Sequence, residues 1–172
     1  MDIAAEQRNE QALLERARRF AQPLVQTVSK AVLDVLLLRL GDEQYAVGLP
    51  FLRSVLPPQE LTSIPCTPPY VAGLLNLRGE ILTVLDLAVA LQLRDLPSTS
   101  KSAQVILVEM PQVRVGLLVD EVLTVDRLCL ETLDRNFGGQ VWAAGVAGGT
   151  TVLLDLERLL TSDRFAVFDE LG

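Results

Sequence analysis

The chain of 172 residues contains no histidine. That removes the Ser-His and Cys-His nucleophile systems and every imidazole metal ligand, and with them the commonest general acid or base. Cysteine is nearly absent. Cys66 and Cys129 stand far apart in the sequence without CxxC spacing, so neither a zinc site nor a redox dithiol is expected, and both read as small buried residues in a reducing compartment. Aromatic residues make up 5% of the chain and do not interleave with basic patches, which leaves out the stacking surface of single-strand nucleic-acid binders. The charge balance agrees: 22 acidic against 15 basic residues give a net −7, and a negative body repels phosphate backbones. Long apolar runs are missing as well. Ile81 to Leu93, the greasiest stretch, is broken by Thr83, Asp86 and Gln92 and is too short to cross a bilayer. The opening Met1-Asp-Ile-Ala-Ala-Glu-Gln-Arg8 lacks the basic-then-apolar build of a secretory signal. A cytoplasmic protein with no nucleic-acid partner and no direct membrane insertion is expected.

The remaining places where chemistry is sought are weak. Gly145-Val-Ala-Gly148-Gly149-Thr has no phosphate-loop lysine and reads as a tight turn between strands. Asp120, Glu121 and Asp126 offer carboxylates, but adjacent strand residues face opposite ways and no base accompanies them, so a solvated edge is expected. Cys66 has no nearby cation to lower its pKa and is read as structural. No metal, no cofactor and no enzymatic activity follow from these residues.

Apolar residues make up 49% of the chain, enough to bury a substantial core. Residues 1–30 are expected to form a helical extension: good helix formers run from 3 to 21 without glycine or proline, Leu13, Ala17, Phe20 and Leu24 fall on one stripe, and Pro23 limits it. From Val35 the pattern changes to short apolar strands with turns between them. Strands are expected at 36–40 and 44–49, in a hairpin over 73–87, and at 104–110, 113–119, 121–126, 141–147 and 151–156. Asp86 is placed to cap a short helix reaching Leu91, a second short helix is expected from Asp155 to Leu160, and Phe165 and Phe168 to anchor a last amphipathic piece.

Leu96-Pro97-Ser98-Thr99-Ser100-Lys101-Ser102 is a polar linker inside the body. Across it, Val47-Gly48-Leu49 recurs as Val115-Gly116-Leu117, and Val84-Leu85-Asp86-Leu87 recurs as Leu153-Leu154-Asp155-Leu156. Two related five-stranded units result, a first barrel over about 35–95 and a second over about 103–172, with 31–172 forming the whole domain. Strands this short leave unpaired edges unless each sheet closes.

In Val71-Ala-Gly73-Leu-Leu-Asn76-Leu-Arg78-Gly79-Glu-Ile-Leu-Thr83-Val-Leu-Asp86-Leu, two apolar strands meet at a turn with one arginine at its tip. The wording Gly-x-x-Asn-Leu-Arg-Gly, followed by a strand ending in Asp-Leu, closely resembles the hairpin of the CheW family of chemotaxis adaptors. Leu38-Arg-Leu40-Gly41-Asp-Glu-Gln-Tyr45, the prolines from Pro65 to Pro69, Val115-Gly-Leu-Leu-Val119-Asp120-Glu-Val122 and Leu153-Leu-Asp155-Leu-Glu-Arg-Leu-Leu160 extend the likeness over most of the body. The resemblance implies a mainly β fold of two Src-homology-3-like barrels packed side by side. It also implies a non-enzymatic adaptor whose partners are a CheA-type histidine kinase and the helical tip of a methyl-accepting chemoreceptor. Carried over by position, it assigns Leu49, Leu52 and Ser54 to the receptor-facing side of one barrel, Arg78 to the hairpin, and Val122 and Val125 to the other barrel. Three departures stand out: Ser54 where an acid is common in the family, Thr83 where a proline is common, and Ala88 where an arginine is common. They leave open an adaptor of a non-flagellar pathway; a purely structural oligomer subunit is a further alternative.

Overall fold

The computed structural model describes residues 7, 8, 10–13, 15, 30–136 and 138–165. The chain divides into two units, 1–31 and 32–172. In the first, the described residues between 7 and 15 are helical, and Leu13 is exposed. Ala17, Phe20, Leu24 and Phe168, on which the stripe and the terminal anchor also depend, lie outside the described residues.

The second unit carries ten strands. They are β1 (Val32–Leu40), β2 (Glu43–Gly48), β3 (Leu52–Leu56), β4 (Val71–Leu77), β5 (Glu80–Asp86), β6 (Gln104–Met110), β7 (Val113–Val119), β8 (Glu121–Cys129), β9 (Ala143–Ala147) and β10 (Thr151–Leu154). Two short helices follow β5 and β10: α1 (Leu87–Ala90) and α2 (Leu156–Thr161). Each starts where a carboxylate accepts a free amide of the first turn, Asp86 from Val89 at 3.1 Å and Asp155 from Arg158 at 3.0 Å, so the expected caps are in place.

The strands form two five-stranded sheets, β8-β1-β2-β10-β9 (sheet A) and β3-β6-β7-β5-β4 (sheet B). This corrects the division at the linker, because neither sheet is built from one half of the chain. Sheet A takes β1 and β2 from the first half and β8 to β10 from the second; sheet B takes β3 to β5 and then β6 and β7. The repeat is real at the level of strands, but each copy lends its first hairpin to the other. Both exchanged hairpins join their new sheet by a parallel pairing, β5 with β7 and β10 with β2. In the first, Leu85 lies opposite Leu117; in the second, Leu154 lies opposite Val47. Relative to the repeated Val-Gly-Leu, the second pairing is slid by two residues, one full strand period, so every side chain keeps its face.

Each sheet closes on itself through the chain that leaves its edge strand. After β3, Thr62 exchanges two backbone hydrogen bonds with Leu74 of β4, at 2.9 and 2.8 Å. After β8, Asp134 does the same with Val146 of β9, both at 2.9 Å. Glycine makes these closures possible. A Cβ at Gly73 would lie 2.7 Å from the Thr62 carbonyl oxygen, and one at Gly145 would lie 2.9 Å from the Leu133 Cβ.

Closure divides the apolar residues into three cores. Leu75, Val84, Val105 and Leu118 fill one barrel, and Val35, Leu37, Ala46 and Leu153 the other. Between the barrels lie Leu36, Leu38, Tyr45 and Val47 of sheet A against Leu85, Ile106, Val108 and Leu117 of sheet B, with α1, α2 and Phe165. From Tyr45 in β2 and Val115 in β7 onward both faces are therefore buried, which is why these parts read as apolar runs and not as alternating ones. Each such buried side chain contributes about 1.5–3 kcal/mol.

Candidate functional site

The β4–β5 hairpin turns on Arg78 and Gly79, both at positive φ, 53° and 90°. Two central residues in that region make a type I′ turn, whose twist matches the flanking strands. The Asn76 side-chain oxygen accepts the Gly79 amide at 3.0 Å and steadies the turn. Glycine is at ease there and arginine is not, since its Cβ crowds the backbone in the left-handed region. The corresponding turn between β9 and β10 uses Gly148 and Gly149, again both at positive φ. Arg78 is exposed, and among the described residues no hydrogen bond or ion pair holds its guanidinium. Its neighbour Glu80 is engaged by Arg114.

The other expected docking residues fall on the edge strands β3 and β8 or beside them. A 3-10 turn over Leu49–Phe51 leads into β3, and the Leu52 amide closes it onto the Leu49 carbonyl. Both leucines pack on the core between the barrels. The register of β3 against β6 slips between Leu52 and Ser54; Ser54 is exposed, and its neighbour Arg53 pairs with Glu109 at 3.2 Å. On β8, Val122 lies opposite Leu38 and Val125 opposite Leu36. Three residues against two mark a β-bulge, which turns both valines toward one face although their spacing is odd. Val122 packs on the core between the barrels, whereas Val125 is 57% exposed. The structure thus gathers Leu49, Leu52 and Val122 onto one core and leaves Ser54 and Val125 free on the edges. Arg78 stands on the β4–β5 hairpin at the other end of the sheet B order, with β6, β7 and β5 between β3 and β4.

Two expectations are corrected. Asp120 is no solvated edge: it is partly buried and bound by Arg94 at 2.9 Å and by the Gly41 amide at 2.7 Å. Strand parity was a poor guide, because Asp120 lies in the gap between β7 and β8. Cys66 is exposed and Cys129 half-buried, not core residues. The prolines flanking Cys66 force a turn in which Cys66 takes φ 62° and stands at the surface. Arg94 itself carried no motif. Its only signal was a lone basic residue just past a capped helix, eight positions after Asp86. Among the described residues no group of three or more His, Cys, Asp or Glu is placed to hold a metal, and no helix is long and apolar enough to cross a membrane.

A family model described as a CheW-like domain matches residues 34–164, nearly all of the two-barrel unit. The chain belongs to the CheW-like family. It is 30% identical over 147 residues to a probable chemotaxis protein CheW of Rhizobium etli, covering 80% of this chain and 93% of that protein. It is 28% identical over 149 residues to the chemotaxis protein CheW of Klebsiella aerogenes, covering 81% and 88%. The crystal structure of scaffolding protein TtCheW from Thermoanaerobacter tengcongensis superposes with a TM-score of 0.67 at 23% identity, covering 77% of this chain and 95% of that one; this likeness speaks to the fold, two Src-homology-3-like barrels. Within this CheW-like body, Ala88 is buried in α1, and Arg94 supplies the cation that faces the buried Asp86.

Proposed function

We propose that the chain is a non-enzymatic chemotaxis adaptor that couples a CheA-type histidine kinase to the helical tip of a methyl-accepting chemoreceptor. The observation that carries this reading is the CheW-like match over 34–164 together with Arg78, an arginine held in a left-handed turn with no partner among the described residues. A strained residue kept where glycine would be easier is the mark of a position held for use. The adaptor works by occupancy: apolar side chains at Leu49, Leu52, Val122 and Val125 supply desolvated contact area, Ser54 a small polar rim, and Arg78 a planar fork for a carboxylate. Simultaneous hold on kinase and receptor then sets how often the kinase meets its phosphoacceptor. Nothing in that mechanism needs a proton relay, in keeping with a chain that has no histidine.

Isothermal titration with a receptor-tip fragment and with the kinase regulatory domain tests it. Arg78→Ala is expected to weaken one of these complexes by roughly 1.5–3 kcal/mol with little change in Tm, because alanine inherits the same backbone strain. Arg78→Lys restores part of the loss. Unchanged affinity for both partners with a large fall in Tm makes Arg78 a brace and ends its docking role. Ser54, uncharged and exposed where the family commonly has an acid, favours a second reading, an adaptor of a non-flagellar pathway. In that case the kinase domain binds and a receptor tip from a flagellar pathway does not.

A further inference from the structure

One guanidinium joins two aspartates from distant parts of the chain. Arg94, just past α1, donates from Nη2 to both oxygens of Asp86, at 3.0 and 2.8 Å, and from Nη1 to both oxygens of Asp120, at 2.9 and 3.1 Å. Asp86 closes β5, is fully buried, and also accepts the Val89 and Ser98 amides at 3.1 and 2.7 Å. Asp120 stands where the chain leaves β7 of sheet B for β8 of sheet A, and it accepts the Gly41 amide of the β1–β2 turn at 2.7 Å. Two residues on, the Val122 amide donates to the side-chain oxygen of Gln104, the first residue of β6, at 2.9 Å.

At this end β8 is also held by the pairing of Glu121 and Val122 with Arg39 and Leu38 and by the Arg39–Glu121 ion pair, but little holds it beyond Val122. Residues 123–127 are exposed, and its ladder with β1 is interrupted by the bulge. Apolar packing holds sheets together but tolerates sliding, whereas a planar guanidinium with one nitrogen on each of two carboxylates fixes both distance and direction. Buried ion networks add little net stability over apolar replacements; geometric specification is their better-attested use.

We propose that Arg94 is a positioning residue: it locks the crossover at Asp120, so that β8 presents Val122 and Val125 in fixed geometry to a partner that also reaches the sheet B side. The docking half of this statement rests on the adaptor reading; the lock itself does not.

Amide hydrogen exchange followed by NMR separates the lock from general stability. In Arg94→Lys, whose ammonium reaches one carboxylate at a time, the Gly41 and Val122 amides are expected to exchange at least about tenfold faster while Ile106 and Leu117 keep wild-type rates. Asp120→Asn, which keeps an oxygen for the Gly41 amide but loses the charge, should accelerate Val122 in the same selective way, and it serves if Arg94→Lys does not fold. Affinity for a receptor-tip fragment should fall by about fivefold or more in either variant. Unchanged exchange at both amides, or equal acceleration in every strand, overturns the lock. Selective exchange with unchanged affinity overturns its role in docking. If the wild-type protein binds no receptor fragment, the adaptor reading fails, and the exchange comparison still decides the lock.

Discussion

Burial raises the pKa of the Asp120 carboxyl, but the Gly41 amide and the Arg94 guanidinium outweigh it and hold the group below its ordinary 3.8. A carboxyl depressed in the folded state contributes stability that is present above its unfolded value and is lost as pH falls through the folded one. The facing groups are Arg94 and, across the same guanidinium, Asp86. Acid unfolding of the wild type should therefore steepen below about pH 3.8, and Asp120→Asn should be less stable at pH 7 while losing less between pH 7 and pH 2; identical acid profiles by circular dichroism would refute the assignment. Steric argument gives a second test. Gly73 sits at φ 150°, and an added Cβ would meet a backbone oxygen that cannot move alone. Gly73→Ala should cost roughly 1–3 kcal/mol in urea unfolding. Gly145→Ala should cost less, because Gly145 is not at positive φ, but it should still destabilise, since the Leu133 Cβ it meets at 2.9 Å moves only with its backbone. The Asp86 cap was legible because a helix cap is a local pattern. Asp120 was not, since its partners lie 26 and 79 positions away in sequence.

The β4–β5 hairpin shows how far local pattern reaches. Two apolar runs around Arg78-Gly79 announced both strands and the exposed tip, and β6 and β7 fell on the expected residues, 104–110 and 113–119. What the pattern concealed was the left-handed backbone at Arg78, which only the two-residue turn imposes. From that strain follows an opposed pair of effects. Arg78→Asn puts the residue most tolerant of the left-handed region after glycine beside Gly79, and should raise stability by about 1 kcal/mol. The same change removes the guanidinium and should weaken partner binding as much as Arg78→Ala does. Thermal melting and calorimetric titration on one preparation check both signs. A variant that loses affinity and stability together would show that Arg78 supports the hairpin. Strand β8 was underestimated in length, 121–126 against the observed Glu121–Cys129, because its outer half pairs with β1 without burying an apolar stripe.

The two-barrel architecture could be read from the repeated Val-Gly-Leu and Leu-Asp-Leu segments; the exchange of hairpins between the barrels could not. A repeat in sequence reports which strands are equivalent, but not which copy each one joins, since the apolar pattern of β2 suits a pairing with its own β5 as much as the observed one with the distant β10. The exchange has a thermodynamic consequence. Sheet A draws on residues 32–48 and 121–154, and the core between the barrels takes leucines and valines from both halves of the chain. Cutting at the linker therefore divides both barrels and all three cores, unlike a cut between tandem domains. Fragments 31–96 and 103–172, produced separately, are each expected to lack a cooperative transition. Mixed in equal amounts, they should recover strand content by circular dichroism, because the ladders of β1 with β8, β2 with β10 and β5 with β7 are all made between the fragments. The intact chain should melt in one transition with equal calorimetric and van't Hoff enthalpies. A fragment that melts cooperatively alone would mean that its strands can close a barrel within one copy of the repeat, and that the exchanged pairing is not the one the sequence requires.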